Sequence, residues 1–368
     1  MNKKVCHITS AHSRYDVRIF EKECKSLANH GYDVTLLVND NMEDEIIDGV
    51  KIISTKFVPK NRIERFFNSK RLILKKALEV NADIYQIHDP DLFPLGNKLK
   101  RMNKTLIFDS HEDVPSQIMG KGWIPRTIRK FVSKAYEIYE KRSIKHYDGV
   151  ISVTPHIVNR LCNINSNTVM ITNYPIVDPK EEVIRDPEKA ICFAGGITEQ
   201  WKHDRILMAI DQFDGIKYLL AGKVSNAYMD MLKQLPGWNK VEYIGKVPHS
   251  EVKFIYSHSI AGMALNYSQQ AKEYGTLGNT KLFEFMAAKL PVICSDYKLW
   301  RAIIDENKCG ICVDPNNVEE IVNAIEYLLN NPVEAKNMGE NGRKAVIEKF
   351  NWKTQEEVLL DFYMKIHS

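Results

Sequence analysis

Short apolar runs alternate along the chain with stretches of helical period. Val5-Cys-His-Ile-Thr, Asp33-Val-Thr-Leu-Leu-Val, Val50-Lys-Ile-Ile-Ser, Ile84-Tyr-Gln-Ile-His, Thr105-Leu-Ile-Phe-Asp, Gly149-Val-Ile-Ser-Val-Thr and Thr168-Val-Met-Ile-Thr-Asn predict strands. Between the first two, Asp16 to Gly31 has helical spacing, with Asp16 placed as N-cap and Gly31 just past the end. A further helix runs through Lys98. The polar, Pro-containing stretch from Pro175 to Lys189 reads as a linker. The pattern then restarts with Ala190-Ile-Cys-Phe-Ala-Gly-Gly, Lys217-Tyr-Leu-Leu-Ala-Gly, Val241-Glu-Tyr-Ile-Gly, Gly262-Met-Ala-Leu-Asn, Pro291-Val-Ile-Cys-Ser and Gly310-Ile-Cys-Val, and Val318 to Ser368 is largely helical. Strands alternating with helices imply parallel sheets covered on both faces. The fold class is therefore α/β, with two doubly wound, Rossmann-like domains: residues 1–175, a linker 176–189, residues 190–349, and a C-terminal helix 350–368 expected to pack back on the first domain. Two such domains in tandem place a ligand at the carboxyl edges of their sheets and suit a two-substrate transfer.

The 368 residues, 44% hydrophobic and 27% charged with mean hydropathy −0.32, fit two ordinary globular domains and exclude a disordered or collagen-like chain. No apolar run reaches the ~20 residues of a membrane span, and the N-terminal residues lack a secretory pattern, so a cytoplasmic location is expected. The seven cysteines are odd in number and scattered, against a disulfide scaffold. Cys309-Gly-Ile-Cys312 has metal or redox spacing, but no second pair or nearby His accompanies it, and a buried strand accounts for it.

Charge changes the picture more. The chain carries +4, yet residues 51–150 hold 21 basic and 11 acidic residues, +10, leaving −6 on the rest. Two segments concentrate it, residues 62–76 and 123–145, each mixing Lys and Arg with aromatics and aliphatics. Such helices suit an anionic membrane surface, with the protein peripheral at the inner face of the cell membrane. Equally, the apolar stripe of each could face the core. No nucleic-acid-binding signature is present.

The stretch Gly275-Thr-Leu-Gly-Asn-Thr-Lys-Leu-Phe-Glu-Phe-Met-Ala-Ala-Lys-Leu-Pro-Val-Ile is a Gly-rich turn, a helix and a buried strand. Amides at such a helix start favour a phosphate, and Lys281 adds a cation. Glu284, on an otherwise apolar helix, needs partners, and a ribose diol would supply two hydroxyl donors. An N-cap at Asn279 or Thr280 with surface Lys and Glu is the plainer alternative. His111 follows Phe108-Asp-Ser at a strand's carboxyl end, beside Glu112 and Asp113, where it could bond a sugar hydroxyl or a neighbouring carboxylate. Asp16 and Arg18 stand at the first helix start, as ligand contacts or as a cap and a surface ion pair.

These motifs, with His12-Ser-Arg-Tyr-Asp-Val-Arg-Ile-Phe-Glu-Lys-Glu, Leu27-Ala-Asn-His-Gly-Tyr-Asp-Val-Thr-Leu, His88-Asp-Pro-Asp-Leu-Phe-Pro-Leu-Gly, Phe108-Asp-Ser-His-Glu-Asp-Val-Pro, Ala194-Gly-Gly-Ile and Phe350-Asn-Trp, resemble the family 4 glycosyltransferases of GT-B fold in order and spacing over nearly the whole chain. The resemblance implies two domains facing a central cleft. It further implies retaining transfer from a nucleotide-diphosphate sugar, held by the C-terminal domain, to a lipid-linked or growing glycan held by the N-terminal one, as in cell-surface polysaccharide or capsule synthesis. By the same resemblance, His111, Lys281 and Glu284 are the catalytic residues. Gly195, Gly196, Lys202, Thr276, Gly278, Asn279, Lys281 and Glu284 bind donor; Asp16, Arg18, His88 and His111 bind acceptor. Glu284 matches the second carboxylate of the family's Glu-x7-Glu motif; Thr276 stands where the first should be, with Glu273 or the backbone of Leu277 to Asn279 as substitutes. Gln200 and Lys202 are the nearest polar residues to the family's usual Arg and Lys after the Gly turn. Asp89-Pro-Asp91 spells the metal motif of another glycosyltransferase fold and is set aside; GT-B enzymes generally need no metal, so neither metal nor other cofactor is expected. A sugar-nucleotide epimerase or phosphorylase of the same fold, or a non-catalytic nucleotide- or glycan-binding module, are the alternatives. A dehydrogenase is disfavoured because Thr9-Ser-Ala-His-Ser-Arg follows the first strand, with no G-x-G-x-x-G.

Overall fold

The computed structural model describes residues 3–58, 60, 64, 70–111, 113–122, 124–267 and 274–367. Glu112, Trp123, Glu273 and most of 62–69 lie outside them. The chain divides into two compact units, Met1–Asn173 with Trp352–Ser368, and Tyr174–Asn351.

The first unit is built on eight strands: β1 (Lys4–Ile8), β2 (Asp33–Val38), β3 (Glu45–Ile47), β4 (Val50–Ser54), β5 (Ile84–Ile87), β6 (Thr105–Ser110), β7 (Gly149–Ser152) and β8 (Thr168–Met170). Their order is β3-β4-β2-β1-β5-β6-β7-β8, parallel except for β3 against β4. Most are buried along their length, as a sheet covered on both faces requires. The direction of strand order reverses between β1 and β5, where Ile8 pairs with Ile87. That reversal opens a crevice beyond the strands' carboxyl ends.

Two local features depart from the sequence reading. The antiparallel β3–β4 hairpin was not anticipated; its turn is Asp48-Gly49, both at positive φ (50° and 79°), the two-residue geometry that an Asp-Gly pair favours. The first helix is not a continuous α-helix from Asp16. It is a π-helical turn, Ile19–Cys24, running into an α-helix, Lys25–Asn29. The wider turn carries Ile19, Phe20, Lys22, Glu23 and Cys24 all inward, two of them ionisable. Asp16 does act as a cap, its Oδ1 accepting from the Arg18 and Ile19 amides, both at 2.9 Å.

The C-terminal helix Trp352–His367 completes this unit. Trp352 Nε1 donates to Ser26 Oγ at 2.9 Å, and Phe362 packs so closely on β7 that a Cβ at Gly149 would lie 2.4 Å from its ring.

The second unit has six parallel strands: β9 (Ala190–Ala194), β10 (Lys217–Ala221), β11 (Val241–Gly245), β12 (Ala261–Ala264), β13 (Val292–Ser295) and β14 (Gly310–Val313), in the order β11-β10-β9-β12-β13-β14. Here the reversal falls between β9 and β12. Cys312 lies on β14 beside Cys294 of β13, with free thiols 3.7 Å apart, so the CxxC pair belongs to the sheet.

The two basic segments behave differently. The helix Lys70–Val80 turns Ile73 and Ala77 into the core, so this part of segment 62–76 presents no apolar outer face. The helix Arg126–Ile144 does present one: Ile128, Phe131 and Ile138 are exposed, Phe131 at 77%. No helix among the described residues is long and apolar enough to cross a membrane.

Candidate active site

In the first unit the carboxyl edges of β1, β5 and β6 bring together His7, His88, Asp109 and His111 with the first helical segment. Asp109, at the inner end of β6, is fully buried and is the hub. Arg18 grips it with two hydrogen bonds, Nε to Oδ2 at 3.0 Å and Nη2 to Oδ1 at 2.8 Å. Its Oδ2 also meets His111 Nε2 at 2.8 Å and His88 Nδ1 at 3.1 Å. His88 Nε2 lies 2.9 Å from His7 Nδ1. Beneath them Gln86 donates to Glu23 Oε2 at 2.6 Å, and Tyr363 of the C-terminal helix donates to Gln86 Oε1 at 2.5 Å.

Burial alone would raise the Asp109 carboxyl; the Arg18 guanidinium, then His111 and His88, hold it well below the carboxylate range instead. Burial pushes Glu23 well above that range, with Asp109 adding to the effect. Burial likewise lowers His7 and His88, which therefore stay neutral. The result is one buried ion pair, Arg18–Asp109, wrapped in neutral hydrogen-bonding groups. Asp109 Oδ2 selects the His111 tautomer with the proton on Nε2, and in that tautomer Nδ1 is an acceptor.

This arrangement corrects two site expectations. Arg18 is 5% exposed; it donates to both Asp109 oxygens and the Ile171 carbonyl and lies 3.1 Å from Glu23 Oε1, so its guanidinium is committed to the interior and not turned to an acceptor. His88 is 2% exposed and stands behind His111. Both position His111, whose side chain is 17% exposed. Asp16 remains at the rim, joined there by His12, which the sequence reading quoted but gave no role: His12 Nδ1 is 3.3 Å from Asp16 Oδ2, and its ring meets that of His111 edge-on at 5.1 Å.

Two groupings, His7–Glu23–His88 and His88–Asp109–His111, bring possible metal-ligating atoms within 4.8 Å of one another. In the structure His88 Nε2 is paired with His7 Nδ1, Asp109 Oδ2 is shared by His88 and His111, and Arg18 supplies a positive charge beside Asp109.

In the second unit, Lys281 and Glu284 face the turn after β9. A Cβ on Gly195 would sit 2.9 Å from Lys281 Cε, so the lysine stem lies directly over that glycine, while the space above Gly196 is open. Gly222 after β10 has φ +141°, and a Cβ there would fall 1.6 Å from the Gly195 carbonyl oxygen: two backbone turns touch. Glu284 accepts from Lys281 Nζ and Thr280 Oγ1, both at 2.5 Å, and from the Tyr256 hydroxyl at 3.2 Å. Burial would raise its carboxyl, but Lys281 and these donors bring it below its ordinary value.

Asn279 accepts from the Lys281 amide at 3.2 Å, Thr276 accepts from the Gly278 amide at 3.1 Å, and the Thr276 carbonyl takes Trp300 Nε1 at 2.9 Å. The loop Thr276–Asn279 is thus shaped by its own side chains. Lys202, at φ +49°, holds its ammonium 4.5 Å from the Tyr267 ring centroid.

Two doubly wound units, each with polar residues gathered at its carboxyl edge beside the strand reversal, define a GT-B protein. Solved structures share this fold. Sucrose-phosphate synthase of Thermosynechococcus elongatus aligns with TM-score 0.75 at 15% identity, covering 100% of this chain and 99% of that one. Anabaena HepE, in complex with UDP and glucose, aligns with TM-score 0.72 at 12% identity, covering 99% and 100%. Residues 17–180 match the family model Glycosyltransferase Family 4, and residues 177–345 match Glycosyl transferases group 1. The chain belongs to the family 4 glycosyltransferases. It is 26% identical over 174 residues to an uncharacterised glycosyltransferase of Methanocaldococcus jannaschii, 46% of this chain and 43% of that protein. Over 83 residues it is 30% identical to the poly(ribitol-phosphate) α-N-acetylglucosaminyltransferase of Staphylococcus aureus, 22% of this chain and 17% of that protein. The matches thus span less than half the length of these relatives.

Proposed function

We propose that the protein transfers a sugar, with retention, from a nucleotide-diphosphate sugar to a lipid-linked or growing glycan in cell-surface polysaccharide synthesis. The observation that carries the reading is the Lys281–Glu284 pair lying over the Gly195 turn. The donor's ribose hydroxyls bond Glu284 in place of Lys281. The freed ammonium then turns to the diphosphate, where positive charge stabilises the leaving group as the glycosidic bond breaks. Gly195 and Gly196 let the phosphates approach backbone amides that a side chain would cover. In the first unit, His111 accepts from a sugar hydroxyl through the ring nitrogen that Asp109 leaves bare.

The test is a melting panel with UDP, GDP, ADP, CMP and NAD. A ligand at ~100 times its Kd adds about 2.7 kcal/mol, roughly a few degrees for a chain of this size. One nucleoside diphosphate is expected to give that shift and Glu284→Ala to abolish it; a shift with NAD alone defeats the proposal. Transfer is then read with the matching nucleotide-sugars and a membrane lipid extract.

The acceptor reading places the protein at an anionic membrane through the helix Arg126–Ile144. Its exposed Ile128, Phe131 and Ile138 are flanked by exposed Lys130, Lys134, Lys141 and Arg142. Vesicles with phosphatidylglycerol should sediment the wild type, and Phe131→Ser with Lys134→Glu should release it. Equal recovery with neutral vesicles defeats this part.

A further inference from the structure

We propose that His12 and Asp89 form a subsite for one sugar hydroxyl at the carboxyl edge of the first sheet, beside His111. The inference rests on the acceptor-binding reading of this unit and adds to it two residues that reading does not use.

Asp89 follows β5, on one side of the strand reversal, and Thr9 to His12 follow β1 on the other. The side chain of Asp89 is more than nine-tenths buried. Its Oδ2 is fully occupied, accepting from Thr9 Oγ1 and the Ser10 amide, both at 2.7 Å, and from the Ala11 amide at 3.3 Å. These bonds fix the plane of the carboxylate and aim Oδ1 at His12 Nε2, 3.6 Å away. That separation is too long for a hydrogen bond. It leaves room for a third atom beside the pair: an oxygen about 2.8 Å from each, roughly 2 Å to one side of the line between them, bonds both. A hydroxyl suits the position because it accepts from Nε2–H and donates to Oδ1 in one contact. A bare anion does not suit it, since Asp16, Asp89 and Asp109 stand around the imidazole.

His12 is equally well held. Its backbone amide donates to Thr9 Oγ1 at 3.0 Å, and Nδ1 lies 3.3 Å from Asp16 Oδ2. Burial opposes its charge, but the Asp16 hydrogen bond, then Asp89 and Asp16 as charges, raise it above its ordinary value, which favours a proton on each of the ring nitrogens that face carboxylates. With its neighbour His111 left as an acceptor, the rim offers one donor ring and one acceptor ring side by side. Adjacent hydroxyls on one sugar ring match that pair.

The test uses protein labelled with 15N at histidine and four probes: methyl α-glucoside, methyl α-galactoside, methyl α-mannoside and N-acetylglucosamine. At least one sugar at millimolar concentration should shift the His12 and His111 ring signals saturably. Asp89→Asn and His12→Gln should each weaken that binding about tenfold, the loss of one charge-assisted hydrogen bond. A panel in which no sugar moves His12 overturns the proposal, and so does Asp89→Asn binding as tightly as wild type. The dispersion of the remaining histidine ring signals reports folding of the first unit in each variant. A wild type that responds to no nucleoside diphosphate counts against the donor reading and leaves this one standing. His12→Gln, at a half-exposed position, keeps the test available should Asp89→Asn not fold.

Discussion

The two sheets offer the same crevice and furnish it in opposite ways. At the first reversal the edge is lined with ionisable side chains: His7, His12, Arg18, Asp89, Asp109 and His111 all lie at the ends of three strands and one helix start. At the second reversal, Ala194-Gly195, Ala221-Gly222 and Ala264-Leu265-Asn266 end the strands, and the charged contribution comes from one helix turn, Lys281–Glu284. A site made of side chains discriminates by hydrogen-bond geometry and must be locked from behind. A site made of backbone discriminates by space. The first needs a buried support, which is what Arg18, Glu23, Gln86 and Tyr363 provide. The second needs glycines.

The sharpest way to separate the two is to remove a charge from each. Asp109→Ala leaves the Arg18 guanidinium buried without its main partner and strips an acceptor from His88 and His111. Breaking a buried pair in this way costs roughly 3–5 kcal/mol, and the lower end is expected because Glu23, 3.1 Å from Arg18, ionises in its place. Lys281→Met breaks a pair only 17% and 23% exposed, but Glu284 keeps the Thr280 and Tyr256 hydroxyls, so the loss should be smaller, about 1–2 kcal/mol. Urea unfolding measures both. Equal losses would mean the first site is not supported from beneath.

Space is the next lever. Gly222→Ala forces a Cβ into the Gly195 carbonyl at a φ that side chains avoid, and should cost at least about 2 kcal/mol with loss of the nucleoside-diphosphate shift. Gly195→Ala presses only on the flexible end of Lys281 and on the Phe193 ring edge. It should leave stability within about 1 kcal/mol while weakening the nucleoside-diphosphate shift, since it moves the lysine. If the two variants unfold alike, the turn is a packing element and not a phosphate cradle.

The sequence made the strands legible because each is a short apolar run bounded by turn residues, and the two-unit division followed from the restart at Ala190. Glu284 was found by asking what a carboxylate does on an apolar helix. The same question put to Asp109, inside Leu106-Ile-Phe-Asp, would have found the hub of the first site. Arg18 looked like a surface ligand because its partner Asp109 is 91 residues away. Tyr363 lies 356 residues from His7, and no local pattern links them. The π-helical turn left no trace in the hydrophobic period, whereas the Asp48-Gly49 hairpin carried a plain dipeptide signal.

The carboxyls of the two sites should also respond to pH with opposite sign. Glu23 has a raised folded value, so its contribution is whole below its unfolded pKa, about 4.3, and is lost as pH rises toward the folded one. Gln cannot ionise, so Glu23→Gln should gain on the wild type from about pH 4.3 upward and then level off. Glu284 has a lowered folded value, so its contribution is present above the unfolded pKa and is lost as pH falls through the folded one. Glu284→Gln should therefore trail the wild type at neutral pH and converge with it in acid. Parallel profiles would show that the proton on Glu23 is not held as the burial argument requires.

The smallest effect expected on the fold tests the departure at Thr276. Its hydroxyl accepts a single hydrogen bond, from the Gly278 amide, while the loop's tie to Trp300 runs through the Thr276 carbonyl, which any residue retains. Thr276→Glu at this half-buried position should move stability by no more than about 0.5 kcal/mol. In a site where backbone and space hold the nucleotide, it should also leave the nucleoside-diphosphate shift intact. What should change is the added shift given by a nucleotide-sugar over its free diphosphate, because a carboxylate here brings a hydrogen-bond acceptor for the sugar hydroxyls that the threonine does not. A variant that loses the nucleoside-diphosphate shift itself would mean that the Thr276–Asn279 loop contacts the nucleotide, and that the second site depends on side chains as much as the first.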